Sequence, residues 1–255
     1  MSRYFPAPSK DIHRSLEAAD RVLDEAMGDQ SIVLRRGRTV GIAGRHQDRV
    51  FRLRSGLMAR SRHLPDGRRQ ILMIRLPGDL LCLRSILLGR QLDTIEALSA
   101  ATVQELPSSA AQALCRGNAD VALRFMWQMV EDDRRLHNWV LALGRGSAIE
   151  RVSALLLDLR SRLIQAGFVS ADKFALPITQ QQIADHLGLT PIHVNRTFRR
   201  LREEGVLTFY RGVLDLHDAR ALGRYAAPMQ DVFERDSAGS GAGDASPGAE
   251  TPPPP

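Results

Sequence analysis

Apolar positions recur at helical spacing in several stretches of the chain and at strand spacing in one broad region between them. Over residues 11–27, Ile12, Leu16, Ala19, Val22, Leu23 and Ala26 share one side and predict a helix. Over 31–106 the pattern changes to short runs: Ile32–Leu34, then 49–53, 57–59 and 70–74. Gly37, Gly44, Gly56, Pro65-Asp66-Gly67 and Pro77-Gly78-Asp79 separate them, which predicts a small antiparallel barrel or roll. Over 118–143 a long helix follows. Its Ala122, Met126, Met129, Asp133, Leu136, Val140 and Leu143 alternate in steps of four and three, a coiled-coil seam that Asp133 interrupts. A second apolar face, Leu123, Trp127, Val130 and Leu141, is expected to pack on the chain's own barrel.

Past Gly144-Arg145-Gly146, which reads as a hinge, Ser147 can cap a helix over Ala148–Gln165. The segment 179–202 then carries the densest local signals. Thr179 and Gln182 form a capping box, Ile183, Ala184 and Leu187 share a face, and Gly188 supplies a sharp turn. Thr190 caps a second helix with Pro191 at its first position, and Val194, Phe198 and Leu201 face inward. Gly205 ends that helix, and 208–216 reads as a hairpin with an Arg211-Gly212 tip. The pattern is a winged helix-turn-helix whose second helix is basic and suited to a DNA major groove. Such proteins commonly read paired half-sites as symmetric dimers. The seam of the long helix (Ala122, Met126, Met129, Leu136, Val140, Leu143) is therefore read as a homodimer contact rather than as the core of a monomer.

Composition adds modestly to this. A net charge of +6 suits a nucleic-acid partner. Lysine occurs only at Lys10 and Lys173, however, and an arginine bias of that kind also follows from genome base composition. Two cysteines, Cys82 and Cys115, give no disulfide framework and too few thiolates for a four-cysteine iron–sulfur cluster. No apolar run spans a membrane and the N-terminus has no signal-peptide pattern, so a cytoplasmic protein without a membrane partner is expected. The expected division is 1–30 helical segment, 31–116 roll, 117–145 long helix and hinge, 146–225 winged helix-turn-helix, and 226–255 a disordered Gly/Ala/Ser/Pro tail.

This order resembles the Crp/Fnr family of bacterial transcription regulators over roughly residues 23–224. The helix-turn-helix carries most of the resemblance. Gly56 behind Arg52-Leu53-Arg54-Ser55, the Leu76-Pro77-Gly78-Asp79 turn and the helix beginning Glu150-Arg151-Val152 add to it. The resemblance implies an α+β protein: an N-terminal antiparallel β-roll of cyclic-nucleotide-binding type, a long dimerisation helix and a C-terminal winged helix. Cyclic-nucleotide binders of the family carry a glutamate after the phosphate-loop glycine and a downstream Arg-Ser or Arg-Thr pair. Here the loop reads Gly78-Asp79-Leu80-Leu81-Cys82-Leu83, and the downstream stretch, residues 89–96, has Asp93 and Glu96, which repel a phosphate. Arg90 substitutes only if the loop shifts. Residues 1–30 hold no cysteine, so the chain matches the FixK-like condition of lacking both nucleotide cassette and cluster. No cofactor is assigned. Haem ligation by His13, His46 or His63 and thiol control through Cys82 or Cys115 stand as alternatives to solvated histidines and inert cysteines.

The candidate DNA contacts are Gln180, Thr190, Ile192, His193, Asn195, Arg196, Arg199, Arg200 and Arg211. Many relatives place a glutamate in the second helix to read cytosine. Aligning on Val194-Asn195-Arg196 puts Ile192 there, suited to a thymine methyl, while Arg196 fits the guanine-reading arginine. Thr190 and Gln180 suit phosphates. The leading expectation is a homodimeric regulator of pseudo-palindromic DNA, with activation through RNA polymerase the commoner family role. The alternative is a regulator that binds DNA only when an unidentified ligand occupies the roll, or under redox control. An enzyme fits poorly: His137 with Asp133 is the nearest acid–base pair, with no nucleophile identifiable beside it and no metal-site spacing.

Overall fold

The computed structural model describes residues 9–229. Helix α1 (Lys10–Met27), capped by Ser9, precedes a roll of two four-stranded antiparallel sheets. In chain order come β1 (Ile32–Leu34), β2 (Thr39–Gly41), β3 (Arg49–Ser55), β4 (Met58–His63), β5 (Arg69–Arg75), β6 (Leu80–Leu81), α2 (Ser85–Leu88), β7 (Thr94–Ala97) and β8 (Ala101–Pro107). One sheet runs β1-β8-β3-β6 and the other β2-β7-β4-β5. Phe51, Leu53, Met58, Leu81, Ile95 and Val103 fill the space between them. The four runs anticipated from alternation became β1, β3, β4 and β5. Strands β2, β6, β7 and β8 carry weaker patterns and were not anticipated.

Helix α3 (Ser108–Gly117) was missed as well, and the long helix α4 (Ala119–Arg145) starts behind an Asn118 cap. Helix α1 lies against α4, where Ala19 and Leu23 meet Val121 and Phe125 in a second apolar cluster. Then follow α5 (Ala148–Gln165), β9 (Lys173–Ala175), α6 (Gln180–Leu187), α7 (Pro191–Glu203), β10 (Leu207–Tyr210), β11 (Val213–Leu216) and α8 (Ala219–Ala226). The wing is a three-stranded sheet, β10-β11-β9, because β9 pairs with β11 through Leu214↔Phe174.

The largest apolar cluster is shared between the two halves of the chain. Ile71, Ile74 and Leu76 of the roll join Val152, Leu155, Leu156, Ile183, Leu187 and Phe198 in one continuous core. At the junction, Gly146 leaves no room for a side chain: a Cβ there would lie 2.7 Å from Met229 Sδ and 2.8 Å from Ala142 O. Of the two glycines expected to form a hinge, Gly146 is packed in this conformation and Gly144 has open space around it. The tail boundary needs correction too. Residue 226 ends α8 and Ala227–Met229 form a 3-10 turn with Met229 buried, so the described fold runs four residues past the expected boundary at 225. The rest of the expected tail, 230–255, lies outside the described residues.

The inner face of α4 also departs from expectation. Val130 and Leu141, expected on the roll, are 59% and 45% exposed. The side turned inward instead presents Val121, Arg124, Phe125, Gln128, Glu131 and Asp132, all buried. The physical reason is that the roll meets this helix with Arg60 and Arg75, so the helix must turn a carboxylate, Asp132, inward. Of the anticipated seam, Met126, Met129 and Val140 are 60%, 40% and 69% exposed, while Ala122, Leu136 and Leu143 are half-buried. Leu143 sits against the helix-turn-helix, with Cδ2 within 3.4 Å of where a Gly188 Cβ would stand.

Candidate nucleic-acid interface

Helix α6 begins with the capping box the sequence implies. Gln182 N donates to Thr179 Oγ1 at 3.2 Å, and Thr179 N donates to Gln182 Oε1 at 2.8 Å. Gly188 ends it in the left-handed conformation, φ 60° and ψ 35°, which favours glycine over residues with a Cβ. Thr190 Oγ1 then accepts from His193 N at 3.2 Å and starts α7. Val194, Thr197, Phe198 and Leu201 are buried on α7, and Phe198 stacks on Phe209 of the wing at 5.0 Å between ring centroids. Burying Val194 and Phe198 stabilises the pair of helices by about 1.5–3 kcal/mol each.

This packing leaves a defined outward face. Ile192 is 70% exposed, and Thr190, His193, Asn195, Arg196 and Arg199 are exposed beside it. Gln180 is half-buried, and its Oε1 accepts from Asn195 Nδ2 at 3.2 Å, so the start of α6 and the middle of α7 are linked. Arg196 and Arg199 have no ion-pair partner among the described residues. Arg200 differs: its Nε reaches Glu204 Oε1 at 2.8 Å, its Nη2 lies 3.4 Å from Tyr225 Oη, and the guanidinium sits over that ring. Tyr225 Oη in turn donates to Glu204 Oε2 at 2.5 Å. Arg200 is thereby committed to joining α7 with α8. At the wing tip Arg211 has φ 49° and lies over the Tyr210 ring, 5.2 Å from its centroid. Tyr210, 69% exposed, was missed by sequence reasoning, although the outward register of its strand position was legible.

The opposite side of α6 is docked on the roll. Arg69 Nε and Nη2 both donate to Asp185 Oδ2, at 2.9 and 2.6 Å. Gln70 Nε2 donates to His186 O at 2.9 Å, and Gln182 Nε2 to Leu98 O at 3.2 Å. His186 is fully enclosed, with Nδ1 2.9 Å from Ile71 O and its ring edge-on to Trp139 at 4.6 Å. Burial holds the imidazole neutral, pushed down to about 4, against the milder pull of Ile71 O. Of these docking residues only Gln182 stood out in the sequence, as half of the capping box; Arg69, Gln70, Asp185 and His186 meet partners more than a hundred residues away, which leaves no local pattern.

Where the roll meets α4, charged side chains converge. Arg75 Nη1 and Nη2 donate to the two oxygens of Asp132 at 2.6 and 2.5 Å, and Arg60 Nη1 stands 3.6 Å away from the same carboxylate. Burial pushes the Asp132 carboxyl up, but Arg75 first, then Arg60 and Gln128, outweigh it and hold it at about 2. Asp93 pairs with Arg60 and Arg62, and Glu96 with Ser61 and Arg69, so the two carboxylates expected to repel a phosphate are engaged internally. About 30 Å³ remains between Arg60, Arg75, Cys82, Gln91 and Asp132. Cys82 accepts from Gln91 Nε2, and burial pushes its thiol up to about 12, which makes it inert. Cys115 is half-buried, and burial raises its thiol too.

Among the described residues no group of three His, Cys, Asp or Glu side chains has the arrangement to hold a metal. His13, His46 and His63 are exposed. His137 and Asp133 lie 3.4 Å apart on α4, their side chains 75% and 71% exposed. No described helix is long and apolar enough to cross a membrane.

Residues 31–118 match the cyclic nucleotide-binding domain model, and residues 150–225 the Crp-like helix-turn-helix domain model. The nitrogen fixation regulation protein FixK of Bradyrhizobium diazoefficiens is 33% identical over 177 residues, 69% of this chain and 73% of that protein. The transcriptional activator protein FnrA of Stutzerimonas stutzeri is 29% identical over 177 residues, 68% of this chain and 71% of that one. Among solved structures, FixK2 from Bradyrhizobium japonicum aligns with a TM-score of 0.69 at 26% identity, covering 77% of this chain and 96% of that one. Roll, long helix and winged helix-turn-helix thus recur in the order found here, and the chain belongs to the Crp/Fnr family of transcription regulators.

Proposed function

We propose that the protein is a homodimeric transcription activator that reads pseudo-palindromic DNA with α7 and needs no small molecule inside its roll. The observation that carries this reading is the pairing of an outward α7, with Ile192, His193, Asn195, Arg196 and Arg199 exposed, with a roll whose interior is closed by the Arg60–Asp132–Arg75 cluster. Thr190, Gln180 and Arg211 would hold phosphates, Arg196 a guanine edge and Ile192 a thymine methyl. Arg200 would serve the fold rather than the DNA. The dimer would form along the exposed side of α4, through Met126, Met129 and Val140. Activation is favoured by the name of FnrA, and implies a contact with RNA polymerase in the bacterial cytoplasm.

The test is selection of randomised duplex DNA by the purified, ligand-free protein, followed by sequencing. A two-fold symmetric motif retained at nanomolar affinity is the expected result. Sequence-blind binding would overturn it. A Met126→Glu variant checks the dimer: sedimentation should give a monomer whose DNA retention collapses to half-site strength.

A further inference from the structure

A cleft of about 590 Å³ opens where the roll, α4 and α5 meet, outside the roll interior and away from α7. It falls within the range of roughly 300–1,000 Å³ usual for small-molecule sites. Its walls are unusually basic. Arg52 and Arg54 come from β3, Arg124 and Arg135 from α4, and Arg162 from α5, against only Asp20 and Asp79 among the lining carboxylates.

The pairing around β3 is incomplete. Asp24 Oδ1 accepts from both Arg52 Nη1, at 2.9 Å, and Arg54 Nη1, at 2.8 Å. Asp20 Oδ1 serves both Arg52 and Arg124, at 3.2 and 3.0 Å. Three guanidiniums therefore share two carboxylates, leaving one positive charge in surplus. Arg52 Nε is buried and has no hydrogen-bond partner. Burial first, then repulsion from Arg124 and Arg54, lowers the pKa of Arg52, and burial and Arg162 lower that of Arg135 to about 10. A bound anion would relieve that repulsion, and planar guanidiniums suit phosphate oxygens.

Part of the lining is apolar. Phe168, 53% exposed, and Pro77 line both this cleft and a neighbouring one of about 470 Å³ walled by Leu57, Leu163, Val169 and Phe174.

We propose that this cleft binds a small oligophosphate ligand, its phosphates held by Arg52, Arg54 and Arg124 and an aromatic or apolar body laid across Phe168. Because Arg52 and Arg54 stand on the roll and Phe168 follows α5, such a ligand bridges the roll and the DNA-reading half. The inference does not depend on the DNA-binding reading, since it is tested without DNA.

Titration calorimetry of the full chain with pyrophosphate, and with ATP in the absence of metal, tests it. One site per chain is expected. Arg54→Gln, a half-exposed position, should weaken binding about tenfold, as should Arg124→Gln, for the loss of one charged hydrogen bond. Arg45→Gln, an exposed arginine that does not line the cleft, should not. Circular dichroism of each variant separates lost binding from lost fold. Equal affinity for the two probes assigns the site to phosphate alone, and tighter ATP binding brings in Phe168. No heat up to millimolar probe, or equal weakening in all three variants, would overturn the proposal.

Discussion

Arg69 at the start of β5 closes on Asp185 of α6 with two nitrogens on one carboxylate oxygen, at 2.9 and 2.6 Å. The contact spans 116 residues of sequence and fixes the first helix of the DNA-reading unit to the roll. Its side chains are 22% and 13% exposed, between a surface pair and a buried one. Asp185→Asn should therefore cost about 1–2 kcal/mol of stability, below the roughly 3–5 kcal/mol of breaking a fully buried pair. Hydrogen exchange should speed up in α6 and leave β3 and β8 unchanged. Uniform acceleration would mean that the pair supports the whole fold instead of the docking.

A larger loss is expected at Asp132. Its neutralisation in Asp132→Asn leaves Arg75 and Arg60 buried without their shared counter-charge. The cost should be about 3–5 kcal/mol, measured as a fall in urea midpoint at unchanged slope.

His186 sets a pH limit. The folded chain keeps the ring neutral down to about 4, whereas the unfolded imidazole takes its proton near 6.5. Between those values the unfolded state binds more protons, so stability falls as pH falls and is steady below the window. The loss is about 2 kcal/mol by pH 5 and about 3 kcal/mol in all. The difference between the parent and His186→Gln, followed by urea unfolding at pH 7 and pH 5, should shrink by that amount.

Arg196 and Arg200 lie four residues apart and should behave oppositely. Arg196→Ala should cost about 1–3 kcal/mol in DNA binding and relax one base position, with little change in unfolding. Arg200→Ala should lower the melting temperature through loss of Glu204 and Tyr225 and barely alter base preference. Selected motifs from the two variants, compared with the parent's, decide the matter.

The helix-turn-helix was legible because its signals are local. Caps at Thr179 and Thr190, the turn at Gly188 and the inward Val194 and Phe198 all lie within one stretch of chain. The roll was half legible. Strands β3 and β5 have alternating or apolar runs, whereas β7 and β8 carry Glu96, Gln104 and Glu105, polar residues that take tertiary partners. The long helix misled more. Periodicity assigns an apolar stripe to the interior, yet α4 turns Arg124, Gln128, Glu131 and Asp132 inward and leaves Met126, Val130 and Val140 outside. No single-chain pattern distinguishes an apolar face awaiting a second copy from one packed at home. The tie from Arg200 to α8 was not legible for a similar reason, since Tyr225 is distant in sequence.

A buried carboxylate on its inner face gives α4 a single permitted seating. Oil-like contacts tolerate a helix that slides or rolls, because one aliphatic side chain replaces another at little cost. Asp132 and Arg75 admit no such exchange. Turning the helix by one residue swings the carboxylate through about 100° and advances it about 1.5 Å, away from both guanidiniums. The outward stripe is indexed by the same bond, so the azimuth at which two copies would meet is set within each subunit before they do.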